Sequence, residues 1–472
     1  MSIIYGRNLG IKKMYIKKIV SLTLILLLTA CQTLNIEKDT QKSNPKNVIL
    51  FIGDGMGPAF VKAYRMYRDN SNTPAVETIL FDEMLVGSLR TDPLGDLKLP
   101  SNETERFDHS SGSVTDSAAS ATAFATGRKT LNGYISLDED KKSMPTVLEK
   151  AKQVGMSTGL VATSQLSHAT PAAFASHQES RSNHIDIVDQ YIDNRFQGMP
   201  YVDVMLGGGK EFFVRKDRNV VEEFASLDYQ IITSKKELEA ANQPRLLGLF
   251  ADSGFKKMID RDADTPSLAD MTRVAIRTLS KNENGFFLMV EGSQIDWAGH
   301  VNDIVGAMSE MTDFDAAVLE GINFAKSAGQ TQIIVTADHS TGGLSIGSKV
   351  NGKSHYQWKS EVIRAFSKTP EEIVKRAIKS GDLLAEIKKI SGLILTEEEI
   401  NQLKPQDLSD SRKTTQRLMR IIDQRSYTGW TTNGHTGTDV NLYAYGSASN
   451  ELIGHWDNTK LAEFMFKLIN NK

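Results

Sequence analysis

Four short runs along the chain are apolar on both faces. They are Asn47–Ile52, Thr158–Thr163, Phe286–Val290 and Gln332–Ala337. A run with no polar alternation reads as a strand buried on both sides, as in a parallel sheet. Between them lie stretches with apolar residues at three- and four-residue spacing, about 144–154, 267–281 and 302–327. Such stretches read as amphipathic helices. Strand–helix alternation predicts an α/β fold with a central, largely parallel sheet flanked by helices. A short strand, Val202–Leu206, and a later one, Val440–Tyr445, extend the pattern. Residues 209–250 read as a polar excursion. The charged stretch from about 340 to 434, with helical pieces such as Thr396–Leu403, reads as an insertion near the sheet's carboxyl edge.

The N-terminus follows a different pattern. Arg7, Lys12, Lys13, Lys17 and Lys18 precede the apolar run Ile19–Ala30, and no acid occurs among the first 30 residues. A run of twelve residues is too short to cross a bilayer comfortably but suits the core of an export signal. Met14 is an alternative start, since Lys17 and Lys18 then supply the basic region. Cys31 closes the run and is the only cysteine. Leu28-Thr29-Ala30-Cys31 resembles a bacterial lipobox, whose cysteine becomes the lipidated N-terminus. An ordinary secretory signal is the alternative. Either reading makes the protein exported, to the periplasm or cell surface, and folded without disulfides. Residues 1–30 then form a lipoprotein signal peptide, 31–46 a polar tether, and 47–472 one large domain. Gln32 is not the Asp linked to inner-membrane retention in enteric bacteria, which points to the outer membrane.

Composition narrows the class. Of 472 residues, 40% are apolar and 24% charged, which excludes collagen and a disordered chain. A mean hydropathy of -0.30 excludes a polytopic membrane protein. The formal net charge of -3 gives no sign of nucleic-acid binding. Removing residues 1–30 leaves 50 basic residues against 58 acidic, a mildly acidic chain.

The chemistry gathers at strand ends. Asp54, Glu291, Asp338 and His339 each lie at or just past the carboxyl end of a buried strand, the edge where open α/β sheets bind ligands. Asp296 and His300 stand i and i+4, so a helix starting near Asp296 would place both on one face. Imidazole with carboxylate suits zinc. His435 lies between glycine-rich turns before the strand Val440–Tyr445, where a close backbone approach is open to it. Ser117, in Val114-Thr115-Asp116-Ser117-Ala118-Ala119-Ser120-Ala121-Thr122, would open a helix running up to Gly127. Free N–H groups and the helix dipole favour an anion there, although Asp-Ser is also an ordinary N-cap. No histidine stands near Ser117 in sequence to act as base, so a metal is the candidate activator. Gly207-Gly208-Gly209-Lys210 lacks the spacing of a nucleotide-binding phosphate loop and reads as a tight turn.

These motifs together resemble the bacterial alkaline phosphatase family of the two-zinc, one-magnesium type. The resemblance covers Asp54-Gly55-Met56-Gly57, Val114–Thr122, His168-Ala169-Thr170-Pro171-Ala172, Glu291–His300, Thr336-Ala337-Asp338-His339 and His435-Thr436-Gly437. It implies Ser117 as the nucleophile that becomes phosphoserine, and Arg181 as a clamp on two phosphoryl oxygens. One zinc would take Asp296, His300 and His435. The second would take Asp54, Asp338 and His339, with Ser117. Magnesium would take Asp54, Thr170 and Glu291. It further implies small phosphate monoesters as substrates, a broad substrate range and a homodimer. His168 and Trp297 depart from the best-known enteric version, which has Asp and Lys there, and resemble the animal and marine bacterial members. An imidazole in place of a carboxylate beside the magnesium ligands should weaken magnesium binding. A diesterase or sulfatase, and a non-catalytic lipoprotein that binds metal or phosphate, remain the competing readings. Arg181 favours the monoester, since it needs two free phosphoryl oxygens.

Overall fold

In the computed structural model, which describes residues 44–70, 72–95, 112–405 and 408–470, the apolar runs line up in one ten-stranded sheet. Its strands in chain order are β1 (Asn47–Gly53), β2 (Leu85–Arg90), β3 (Ser157–Gln165), β4 (Val204–Gly208) and β5 (Gln230–Ile232), then β6 (Leu246–Leu249), β7 (Phe286–Gly292), β8 (Thr331–Thr336), β9 (Val440–Tyr445) and β10 (Gly454–Asp457). Across the sheet they run β10-β2-β9-β8-β1-β7-β3-β4-β6-β5. β9 is antiparallel to both neighbours, and every other adjacent pair is parallel.

β1, β7 and β8 are buried along their whole length, as their unbroken apolar character requires. Register then sets the site. Ile52 pairs with both Thr336 and Glu291, and Glu291 pairs with Ala162. The carboxyl ends of β1, β3, β7 and β8 therefore finish in one row. Asp54 and Asp338 each follow two residues beyond a paired position, so both emerge at the same level.

The helices of the chain include α1 (Ser117–Thr126), α2 (Ala169–Ala175), α3 (Leu268–Leu279), α4 (Gln294–Val301), α5 (Ile304–Ala328), α6 (Pro370–Ser380) and α7 (Ser411–Ser426). α3 starts on a capping box in which Ser267 accepts from the Asp270 N–H and Asp270 accepts in return. α5 starts on Asp303, whose carboxylate accepts from the N–H groups of Val305 and Gly306. Among the described residues, no helix is long and apolar enough to cross a membrane. The expected signal peptide, Cys31 and most of the 31–46 tether lie outside the described residues.

The 209–250 stretch departs from its reading as a polar excursion. It supplies β5 and β6, which widen the sheet at one edge. Strands of three and four residues, one interrupted by Gly248, are too short to show periodicity against their charged surroundings. The Gly207–Lys210 segment behaves as a turn: β4 ends at Gly208, and Gly209 takes φ +93, open mainly to glycine. Among the described residues the 340–434 stretch carries five helices, and its two ends are joined by the pairs Ser340↔Thr436 and Thr341↔His435.

Candidate active site

Ser117 begins α1, behind the N-cap Asp116, whose Oδ1 accepts from the Ala119 N–H at 2.9 Å. The serine is buried, and its Oγ lies 3.1 Å from His339 Nε2. Ser120, one turn on, donates to the Asp338 carbonyl at 2.8 Å, pinning α1 to the end of β8. The amino end of a helix and the carboxyl edge of the sheet therefore meet at one point.

Four carboxylates converge there. His339 Nε2 is 3.2 Å from Asp338 Oδ2 and 3.4 Å from Asp54 Oδ1. Asp338 Oδ1 accepts from the N–H groups of Gly55 and His339, each at 3.0 Å. Gly55 takes φ +69, and a Cβ there would meet Asp296 Oδ1 at 2.9 Å. Only a glycine lets the β1 turn come so near Asp296. Glu291 lies beyond Asp54, with Ser164 donating to its Oε2 at 3.3 Å.

Two further imidazoles face Asp296. His300 Nε2 is 3.2 Å from Asp296 Oδ2, as the i, i+4 spacing on α4 requires, and His435 Nε2 is 3.7 Å from Asp296 Oδ1. His300 Nδ1 donates to the Asn433 carbonyl at 2.6 Å, and His435 Nδ1 donates to the Thr115 carbonyl at 2.9 Å. The two Nε2 atoms face each other 3.3 Å apart. The His339 and His435 rings stack at 3.5 Å between centroids, which joins this group to the one around Asp54.

The chemistry of this donor set fits metal cations. Both Asp54 oxygens, Asp338 Oδ2, Glu291 Oε1, Thr170 Oγ1 and His168 Nδ1 are buried without a hydrogen-bond partner. Buried polar atoms are seldom left this way. Three sets of side chains come within ligand reach: Asp54, Asp338 and His339; Asp296, His339 and His435; and Asp54, His168 and Glu291. Burial, with Asp338 and Asp296 nearby, pushes the Asp54 carboxyl well above its ordinary range. Glu291 is pushed up to about 7, chiefly by burial. Burial and the neighbouring His339 lower His435 to about 3, which keeps its imidazole neutral and free to coordinate. Burial alone would raise Asp296, but the His300, His435 and His339 imidazoles hold it well below the usual carboxylate range. Crowded buried acids beside imidazole nitrogens are what divalent cations stabilise.

Arg181 arrives from the loop after α2. Its Nη1 donates to Asp116 Oδ2 at 3.1 Å, and its Nη2 lies 3.2 Å from His168 Nε2. Trp297 packs edge-on against His168 at 5.9 Å between centroids, with Lys257 Nζ 5.8 Å from the Trp297 ring. The sequence motifs did not single out Asp116 as an arginine anchor. Nor did they mark Thr341, which hydrogen-bonds Asp296 and lies 3.2 Å from His339 Nδ1, or Asn433 behind His300. Asp116 stood in the nucleophile signature but reads there as a helix cap, which it also is.

The model of one protein family, described as alkaline phosphatase, matches residues 45–471. The chain belongs to the alkaline phosphatase family. It is thereby a metal-binding hydrolase of phosphoric monoesters. It is similar to alkaline phosphatase 3 of Bacillus subtilis (strain 168), 45% identical over 439 residues that cover 92% of this chain and 91% of that protein. Alkaline phosphatase 4 of the same organism is 44% identical over 434 residues, covering 92% and 90%. Among solved structures, the cold-active alkaline phosphatase of the psychrophile Shewanella sp. superposes with a TM-score of 0.80 at 42% identity, covering 90% of this chain and 99% of that one. Its family thus agrees with the resemblance drawn from the motifs, and the α/β sheet agrees with the fold expected from it.

Proposed function

We propose that this alkaline phosphatase hydrolyses a broad range of small phosphate monoesters outside the cytoplasm, through a phosphoserine formed on Ser117. The observation that carries the reading is the junction of the α1 amino end with buried, unpartnered carboxylate oxygens and imidazoles at the sheet edge. Asp296, His300 and His435 would hold one zinc. Asp54, Asp338 and His339 would hold the second, and Asp54, Thr170 and Glu291 the magnesium, with His168 within reach of the same place. When bound, the ions lower the pKa of the serine hydroxyl and neutralise charge on the attacking and leaving oxygens.

The protein's own groups supply position. Ser117 Oγ attacks phosphorus in line, displacing the alcohol. Water then attacks the phosphoserine from the opposite side, giving phosphate with net retention. α1 directs its free N–H groups and positive dipole end at the phosphoryl group. Arg181, held in plane by Asp116, presents its guanidinium to two non-bridging oxygens. The expectation that Arg181 selects the monoester does not hold, because a diester also offers two non-bridging oxygens; the monoester reading rests on the family.

Export rests on the basic and apolar leader, and lipid anchoring rests on Cys31 at its end. A homodimer is the further assembly expected. The test uses soluble protein starting at Gln32, loaded with zinc and magnesium, on a phosphate monoester, a diester and a sulfate ester at alkaline pH. Monoester turnover lost in EDTA and in Ser117→Ala is expected. Preference for the diester or the sulfate would overturn the monoester reading. No turnover with metals bound would favour a binding protein.

A further inference from the structure

The helix that carries Ser117 is held at its second turn by a segment from the far end of the chain. β10 ends at Asp457, and α8 (Lys460–Asn470) follows it. Asn458 lies between them and is fully buried. Its N–H donates to the Arg90 carbonyl at 3.0 Å, which fixes it beside β2. Its side-chain amide faces Ser120 of α1, 338 positions away in sequence.

The hydrogen bonds at this junction have a set direction. Lys129 Nζ donates to Asn458 Oδ1 at 2.6 Å, so the oxygen of the amide faces the lysine and Nδ2 faces the serine. Nδ2 donates to Ser120 Oγ at 3.2 Å. The hydroxyl gives its one hydrogen to the Asp338 carbonyl at 2.8 Å. A serine within a helix readily turns its hydroxyl onto the carbonyl four residues back, here that of Asp116. The N–H from Asn458 fills a lone pair of Ser120 Oγ and favours the bond to Asp338 instead. Successive bonds in such a chain polarise and strengthen one another. Ser120 and Asp338 are buried as well. The chain ends in the site, because Asp338 precedes His339, whose Nε2 lies 3.1 Å from Ser117 Oγ. One hydroxyl thus ties the helix bearing Ser117 to the backbone bearing Asp338 and His339.

We propose that Asn458 and Ser120 are positioning residues for phosphoryl transfer, and that together they set the approach of Ser117 to Asp338 and His339. Neither touches the substrate. The inference rests on Ser117 as the nucleophile, and it makes the segment between β10 and α8 a working part of the site.

The test is the rate at which the metal-loaded protein, well below its melting temperature, takes label onto Ser117 from a phosphate monoester, read by acid quench. Asn458→Asp keeps the shape and the acceptor for Lys129 but has no N–H, and its carboxylate draws the Ser120 hydrogen away from Asp338. Labelling should slow about three- to tenfold, the size expected of one hydrogen bond. Ser120→Ala should slow it to a similar degree. The double variant should be less than about twofold slower than Ser120→Ala, because the asparagine acts through the serine. Asp457→Ala is the structural control. It removes an ion pair with Lys129 at 3.2 Å and a hydrogen bond from Thr459 Oγ1 at 2.9 Å, and leaves the Asn458 and Ser120 side chains in place. It should lower the melting temperature and keep the labelling rate within about twofold of wild type. Wild-type labelling rates in Asn458→Asp and Ser120→Ala, additive losses in the double variant, or equal slowing by Asp457→Ala would overturn the positioning role. Each of those results leaves the nucleophile intact, whereas a wild type that takes no label on Ser117 would overturn both.

Discussion

Asp116→Asn is the perturbation that separates positioning from chemistry. The Asp116 side chain is 1% exposed and does three things at once. Oδ1 caps α1 through Ala119 N–H, and Oδ2 accepts from Gly133 N–H at 2.9 Å and from Arg181 Nη1 at 3.1 Å. Asparagine keeps the shape and the cap. It places an amide NH₂ where two donors already point, so the link to Arg181 is lost and two N–H groups are opposed. A hydrogen bond to a charged group contributes about 1.5–3 kcal/mol. If that energy preorganises Arg181, the inhibition constant of inorganic phosphate should rise roughly ten- to hundredfold. The assay is phosphate inhibition of monoester turnover in wild type, Asp116→Asn, Arg181→Ala and the double variant. Because Asp116 acts through Arg181, the asparagine should add less than twofold once the arginine is gone. Fully additive losses would refute the reasoning. Circular dichroism and thermal melting on the same samples would show whether the unpaired Gly133 N–H has cost the fold.

Asp303→Asn should show a pH-dependent gain in stability. Burial raises Asp303 to about 6, above its unfolded value near ~3.9, so the folded state binds the proton more tightly and ionisation costs stability. That cost is absent below about pH 4, grows between about 4 and 6, and reaches at most about 3 kcal/mol above that. The asparagine keeps the α5 cap, so urea melts should show a gain at pH 8 and none at pH 4; equal differences at both would contradict this. Arg261 is 3% exposed between Glu310, at 3.1 Å, and Asp313. Arg261→Met should destabilise by about 3–5 kcal/mol, because two buried acids lose their partner, and a urea midpoint within error of wild type would contradict it. Gly254→Ala would set a Cβ 2.4 Å from Trp297 Cη2 and displace the ring that packs on His168. Calorimetry on chelator-stripped protein should find magnesium weakened more than zinc, and wild-type magnesium affinity weaker than micromolar. An equal loss of both metals, or sub-micromolar magnesium, would count against the role given to His168.

Long apolar strands were legible because burial on both faces leaves no polar position to confuse their reading. Asn47–Ile52 and Phe286–Val290 appear as β1 and β7 with small shifts at their ends. β5 and β6 were hidden because three or four residues cannot display a period, and only β5 lies at the sheet edge, where polar neighbours are tolerated. In the site, residues that follow strands or stand at i, i+4 could be found from spacing alone: Asp54, Asp338, Asp296 and His300. His435 shows what spacing cannot supply. It lies 135 residues beyond His300, yet the two Nε2 atoms meet at 3.3 Å because β9 returns beside β8. Asp116, Thr341 and Asn433 were not read as support because each acts on a partner distant in sequence, Arg181, Asp296 and His300 respectively, and a single Asp, Thr or Asn in a loop has ordinary local uses.

The phosphoserine on Ser117 is the central claim. The direct measurement is rapid acid quench of the metal-loaded protein turning over a monoester labelled at phosphorus, followed by peptide mapping. The account predicts label on the peptide containing Ser117 and none in Ser117→Ala. Undiminished turnover with no trapped label, or label on another residue, would contradict it.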